Sequence, residues 1–360
     1  MRNRFAFSQR VMQVAKAPST AGRAGIVVSA RSLALVLAFC AFAMLVAMPG
    51  RSQTSPVIEG PHRLPHASPV APLAEPAADA VGAENPAAVN YNFITIGPES
   101  SPYAVADGIN NAGLVTGYYQ DTNSVFHGFV WRNGEFKTVN YPGAAYTLLY
   151  GVNDRDVANG YYNDGTADHV VTYAVRSGAW GKLPDIPGYP LNEGYGINDA
   201  GFAVGNAFSS SSTAAVAWEW DPFKRSYSYL AVPGAAEYST SPSGLNNFNQ
   251  VAGYYVDADM NYHGFIEQRG NYTIYNAPGA TETYPDGIND WGLLQGQWDD
   301  ASYNAHGFLA TTTGYFQSVD YPGSAATAID GINDKLAICG AYSQSPDFSG
   351  PVMAFVAVPE

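Results

Sequence analysis

Three aspartates, Asp107, Asp286 and Asp330, each stand directly before the glycine of a short Gly-Ile-Asn segment. In three further copies of that segment the same position holds Tyr150, Tyr195 and Ser243. If the strands carrying these positions line a common channel, carboxylates far apart in the chain converge. Converging carboxylates hold a cation, or divide acid and base roles as their pKa values are driven apart. Tyrosines in the same ring offer flat faces for stacking on sugars. Asp107, Asp286 and Asp330 are therefore candidate acids or bases, and Tyr150, Tyr195, Asp286 and Asp330 are candidate ligand-binding residues. His127, His263 and His306 recur in His-Gly-Phe segments. Their first reading is a structural hydrogen bond beside a hairpin, and their second is acid–base catalysis by one of them. The run Asp257-Ala258-Asp259-Met260-Asn261 sets oxygens at alternate positions, as a calcium loop does, but without the mid-loop glycine and distant glutamate of an EF-hand. It reads first as a solvated turn, with Asp257, Asp259 and Asn261 as the residues that would hold Ca2+. No other cofactor is expected. The chain carries no nucleophile elbow, metalloprotease helix, phosphate loop or nucleotide fingerprint.

The elements that must position these residues come from a repeat. Gly-[Ile/Val/Leu]-Asn-[Asn/Asp] begins at Gly108, Gly151, Gly196, Gly244, Gly287 and Gly331, with 43 to 48 residues between successive starts. Nine residues after each comes a second glycine: Gly117, Gly160, Gly205, Gly253, Gly296 and Gly340. Tyrosine pairs follow in three copies, at Tyr118-Tyr119, Tyr161-Tyr162 and Tyr254-Tyr255. The His-Gly-Phe segments come next, and a strand ending in a Pro-Gly turn closes five of the copies. Asn-Ala-Gly and Asp-Ala-Gly after the first segment are hairpin-turn chemistry, because Asn and Asp bond their own backbone and glycine tolerates left-handed angles. Each copy thus reads as four short strands, with no segment of helical period long enough for a helix.

Four strands at this period match a blade of a β-propeller. The ends of the repeat region separate a ring from a linear stack. Tyr91 to Ile96 resembles a fourth strand with no blade before it, and Met353 to Val358 resembles a third strand with no fourth after it. Joining them completes a sixth blade and leaves no bare edge. The expected fold is all-β: a six-bladed propeller over residues 91–360, closed by the N-terminal strand.

What precedes this region differs in composition. Seven of the 17 basic residues lie in positions 1–51, and no acidic residue precedes Glu59. An apolar run from Leu33 to Met48 follows Arg31 and Ser32, so residues 1–51 read as an export signal or signal-anchor. Residues 52–90, rich in Pro, Ala and Ser, read as a linker. Beyond residue 90 there are nine basic and 27 acidic residues. That balance excludes a nucleic-acid partner. Cys339 is then the one cysteine left outside the leader, and its apolar setting marks it as a buried free thiol.

The ordered set Gly-Ile-Asn-[Asn/Asp], Gly-Tyr-Tyr, His-Gly-Phe and Tyr-Pro-Gly-Ala resembles the bacterial extracellular repeat family named for its His-Ala-Phe-type signature. The resemblance covers nearly all of residues 91–360. The central residue is Gly in all three clean copies, and the histidine is displaced at Asp168-His169-Val170. The resemblance implies a secreted or surface-exposed protein and implies no reaction.

The expectation is an exported, monomeric binding or structural module that recognises a glycan or an envelope or extracellular protein. It would touch the membrane only through an uncleaved N-terminal segment. The alternative is an enzyme cutting an extracellular polysaccharide by hydrolysis or lyase chemistry, with channel-mouth Asp and a Tyr or His partner. Paired carboxylates about 5–9 Å apart on one face would favour glycoside hydrolysis.

Overall fold

The computed structural model describes residues 88–360, apart from 212 and 213. The expected export signal lies outside the described residues, as does nearly all of the expected linker. Among the described residues every regular element is a strand. β1 is Tyr91–Ile96. The first four-stranded unit follows: β2 (Tyr103–Ile109), β3 (Val115–Gln120), β4 (Phe126–Arg132) and β5 (Glu135–Val139). The second holds β6 (Tyr146–Val152), β7 (Val157–Asn163), β8 (Asp168–Ala174) and β9 (Ala179–Lys182). The third holds β10 (Leu191–Ile197), β11 (Ala203–Phe208), β12 (Ala215–Asp221) and β13 (Ser226–Leu230). The fourth holds β14 (Ser241–Leu245), β15 (Val251–Val256), β16 (Tyr262–Gln268) and β17 (Asn271–Tyr275). The fifth holds β18 (Glu282–Ile288), β19 (Leu294–Asp299), β20 (Ala305–Ala310) and β21 (Phe316–Val319). The sixth holds β22 (Ala326–Ile332), β23 (Ile338–Ser343) and β24 (Val352–Pro359). Its fourth strand is β1, antiparallel to β24 from Tyr91↔Pro359 to Ile96↔Ala354.

The repeated asparagine explains why each unit begins as it does. In the first unit the Oδ1 of Asn110 accepts from the backbone N–H of Ala112 and Leu114, which shapes the turn between β2 and β3. Its Nδ2 donates 2.9 Å to the carbonyl of Asn153 in the next unit. Asn153 does the same to Asn198, Asn198 to Asn246, Asn246 to Asn289 and Asn289 to Asn333. Asn333 then donates 2.9 Å to the carbonyl of Asn110, so the series returns to its start. A second series runs beside it. The N–H of Asn111 reaches Oδ1 of Asp154, and those of Asp154 and Asp199 reach the Oδ1 of Asp199 and Asn247. Asn247, Asp290 and Asp334 continue it to Asp290, Asp334 and Asn111. The first position needs an acceptor and a donor on one short side chain, which is why it is Asn in all six copies. The second needs only an acceptor, and Asn and Asp both serve.

The second glycine of each repeat faces a fully buried residue of the third strand, aromatic in five units and Val171 in the second. Gly117 lies opposite Phe129 and Gly205 opposite Trp218, both aromatics fully buried. A Cβ on Gly205 would lie 2.0 Å from the carbonyl oxygen of Glu193 and 2.5 Å from the Trp218 ring. Fully burying an aromatic of this size stabilises by about 1.5–3 kcal/mol, and only a missing side chain leaves room for it.

We expect Asn198→Ala to cost about 3 kcal/mol. It strips the bonds to Asn246, Asn249, Ala200 and Phe202 and strands buried backbone groups without partners. Asn198→Asp keeps the acceptor for the turn but sets a second buried oxygen against the Asn246 carbonyl, and should cost at least as much at neutral pH. Urea unfolding of the two variants and the native chain checks the order.

Candidate functional site

The three recurring histidines serve the sheet. The ring nitrogens of His263 lie 3.0 Å from Asn276 Oδ1 and 3.0 Å from Asp257 Oδ2, so the ring clamps the turn before its own strand to the end of the next. His127 spans Asn140 and Asp121 in the same way, and His306 bonds Asp320 at 2.9 Å with Asp300 3.8 Å from its other nitrogen. Each packs on the second residue after the glycine of the neighbouring strand: Tyr119, Tyr255 or Trp298. His169 belongs with them, although its sequence position is displaced by one residue. It pairs with Tyr162, as His127 does with Tyr119, and it spans Asp185 at 2.8 Å and Asp164 at 3.1 Å. The preceding turn is one residue shorter, and the pairing absorbs the difference.

Of the residues expected to hold Ca2+, Asp257 and Asn261 bond one another within their own turn. Asp257 Oδ1 accepts from the N–H of Asp259 and Asn261, and its Oδ2 accepts from Asn261 Nδ2 as well as meeting His263. Among the described residues no group of three His, Cys, Asp or Glu side chains is disposed to hold a metal ion. The hydrogen bond from Asn261 N–H, then His263, holds the Asp257 carboxyl well below the usual carboxylate range. The Thr166 hydroxyl, then His169, does the same for Asp164. These groups gain stability on folding only while ionised. That gain is complete above the unfolded carboxylate value of about 3.9 and drains away as pH falls toward the lower folded values. The melting temperature should therefore drop steeply on acidification from about pH 5 to about pH 2. Asp257→Asn should flatten that drop, as a pH series of thermal melts would show.

The other candidates converge. In the first strand of every repeat unit the pairing register slips at the residue before the first glycine. The slips skip Asp107, Tyr195, Ser243, Asp286 and Asp330, and in the second unit both Tyr150 and Gly151. Such bulges break the alternation of a strand and re-aim the bulged side chain. All six residues line one cavity of about 130 Å³. Its floor is the next layer, Ile109, Val152, Ile197, Leu245, Ile288 and Ile332, which also borders a second cavity of about 80 Å³ on the side of the Asn/Asp series. The first glycines let neighbouring strands meet at this level. A Cβ on Gly331 would lie 3.0 Å from the carbonyl oxygen of Asp107 and 3.2 Å from Cα of Gly108.

The ring is not uniform. Asp286, Asp330 and Asp107 come from the fifth, sixth and first units, which follow one another in the Asn series. The opposite arc carries Tyr150, Tyr195 and Ser243 from the second, third and fourth. Tyr254, Tyr262 and Tyr284 extend the aromatic wall. Tyr150 meets Tyr195 edge to face at 5.2 Å, and Tyr284 meets Tyr254 and Tyr262 at 5.3 and 5.1 Å. Two carboxylates behind the wall fix tyrosine hydroxyls: Tyr195 donates 2.6 Å to Glu193, and Tyr284 donates to Glu282. Burial, with the nearby Asp168 carboxylate, pushes Glu193 up to about 8. Glu193 is thus largely an uncharged acid at neutral pH. Cys339 is buried as expected, and burial followed by the charges of Asp330 and Asp107 pushes its thiol up.

Glu193, Tyr254, Tyr262 and Tyr284 were not singled out by the repeat pattern. The signal for Tyr254 was present in the Gly-Tyr-Tyr pairs. Their second tyrosine packs on a histidine, while the first turns to the tyrosine wall, as Tyr118 and Tyr161 do against Tyr150. Glu193 departs from the repeat and has no such marker.

Raising a carboxyl pKa on folding costs stability wherever the unfolded chain is ionised and the folded one is not. For Glu193 that cost grows from about pH 4.5 to about pH 8. Glu193→Gln should therefore melt at nearly the native temperature at acid pH and several degrees above it at pH 8.

No family model matches the chain, and no curated protein does. Solved structures of similar shape include AofleA from Arthrobotrys oligospora, at 12% identity and TM-score 0.48 over 78% of this chain and 90% of that one. A gluconolactonase from Xanthomonas campestris matches at 12% and 0.46 over 75% and 90%. The Aleuria aurantia lectin, solved with a fucose-containing disaccharide, matches at 10% and 0.43 over 74% and 98%. Likenesses of this degree assign no role.

Proposed function

We propose that residues 91–360 form a closed six-bladed β-propeller, exported to the periplasm or cell surface, that acts as a binding module through the tyrosine- and aspartate-lined channel mouth. Closure is supported by the β1–β24 pairing and by the two hydrogen-bond series that end where they began. Export is supported by the basic and apolar leader and by the resemblance of the repeats to an extracellular family. The observation that carries the binding reading is that six separate bulges aim Asp107, Tyr150, Tyr195, Ser243, Asp286 and Asp330 into one cavity. The cavity is smaller than the roughly 300 Å³ of a pocket for a whole drug-sized ligand. It admits a projecting group of a glycan or protein partner, whose remainder stays outside. An enzymatic reading finds less support here. Glu193, whose carboxyl burial pushes up to about 8, holds Tyr195 from behind and does not line the cavity.

The test is a binding screen of the intact chain on glycan and peptide arrays, with product assays on every hit. Saturable binding without turnover is expected. Tyr195→Leu and Asp286→Asn should each weaken it about tenfold or more, and Phe223→Ala on the exposed surface should not. Turnover that disappears in Asp286→Asn would replace the module with an enzyme.

A further inference from the structure

On the side of the Asn/Asp series, the residue two places after each repeated asparagine gives its N–H to that asparagine. Its backbone is therefore fixed while its side chain stands in solvent. The six residues are Ala112, Arg155, Ala200, Phe248, Trp291 and Lys335, all exposed. Phe248 and Trp291 come from neighbouring turns, which Asn247 joins through two bonds to Asp290. In the unit before them, Phe223 in the β12–β13 turn meets Phe202 at 5.9 Å. Phe223, Trp291 and Phe248 are 77, 73 and 64% exposed, more than any other large apolar side chain among the described residues. Single exposed apolar residues are ordinary, but three from successive units on one side are not.

Basic residues flank them. Lys224, Arg225, Arg269 and Lys335 are exposed in turns on this same side. Lys224 also meets Asp221 at 2.9 Å, and Lys335 also bonds the carbonyl of Asn111. The turns at the other end of the strands, between the second and third of each unit, contain Asp121, Asp164, Asp257 and Asp300 and no lysine or arginine.

We infer that the Asn/Asp side docks on a lipid bilayer bearing anionic headgroups, with Phe223, Phe248 and Trp291 entering the interface and the flanking Lys and Arg meeting the headgroups. The aromatics stand on turn tips rather than in a groove. The cavity on this side, about 80 Å³, is lined by the Asn/Asp series and the aliphatic layer and not by them. Protruding rings of this kind gain by entering a soft medium that closes around them, and aromatic and basic residues together suit the headgroup region. The acidic turns are at the far end of the strands, and salt screens charges over about 10 Å. The path of the chain agrees. Val89 exchanges two bonds with Gln317, Asn90 accepts from the N–H of Glu360, and β1 then runs away from this side. A leader that stays in the bilayer thus holds this side toward it.

Trp291 makes the test direct. It is the exposed one of six tryptophans, the others being buried or half-buried, and residues 1–90 contain none. Quenching of tryptophan emission by brominated lipid therefore reports this side and not the leader. The full chain is titrated with vesicles of brominated phosphatidylcholine and phosphatidylglycerol in equal parts. Emission should shift to the blue and be quenched, and Trp291→Phe should remove the quenching. Phe248→Ala should raise the lipid needed for half-maximal quenching about tenfold, while Tyr229→Ser, on β13, leaves it unchanged. Co-sedimentation with vesicles but without quenching would mean that the leader alone holds lipid, and would overturn the inference. Quenching that survives in Trp291→Phe would overturn it as well, since another side would then face the bilayer. A dimer that Trp291→Ala abolishes, with no quenching, would assign the surface to a second copy instead. Array binding at the channel mouth should be the same in Trp291→Phe and the native chain, so the two sites stand or fall separately.

Discussion

One side chain has two jobs on which the rest depends. An asparagine amide offers an acceptor and a donor about two ångströms apart. In all six repeats the acceptor is spent inside the unit, on the turn between the first two strands, and the donor outside it, on the next unit's backbone. Local folding and assembly are therefore the same event at this position. Any residue that shaped the turn but lacked the amide N–H would leave each unit formed and its bond to the next unit missing. Because these groups are buried, their bonds are not traded for bonds to water, and removing one leaves its partner stranded.

The functional asymmetry stands on that symmetric frame. The glycine before the aliphatic layer lets the inner strands meet, the slip in register lets the preceding residue leave the pleat, and the identity of that residue is then free to vary. Aspartate occupies it in one half of the ring and tyrosine or serine in the other. Nothing in the frame distinguishes these halves, since both rest on the same Asn and Gly. The position is thus where the chain varies its cavity lining while Phe129, Trp218 and Phe265 stay fully buried. Glu193 shows what such a site costs. A carboxyl is kept in an environment that disfavours its charge so that one tyrosine keeps its orientation.

Much of the molecule was readable from the chain alone, and the reason is the repeat. Period, turn chemistry and the unpaired end strands located four strands per unit and the partnership of Tyr91–Ile96 with the last strand. The converging positions were readable because they share an offset from an invariant glycine. Other features were hidden for definite physical reasons. The register slips that turn Asp286 and its equivalents inward are three-dimensional events with no composition of their own. His169 looked misplaced because a shorter turn moved it in number and not in space. The alternate oxygens of Asp257 to Asn261 resembled a calcium loop because a carboxylate that organises its own turn needs the same spacing. Glu193 was invisible because it acts once, through a single tyrosine.

The pairing of β1 with β24 also bears on the order in which the molecule is made. The strand that completes the last unit is synthesised before any of the units, and its partner emerges only after all the other strands. Units one to five have all their strands as soon as their own residues appear, whereas the seam must wait for residue 359 to meet residue 91. The entropy lost in bringing such distant strands together grows only slowly with length, so what sets the seam apart is chiefly the order in which its two strands are made. Until then β24 presents an open edge, the feature most prone to pair with another chain. Assembly of this kind is therefore most vulnerable in the interval between synthesis of β24 and its capture of β1.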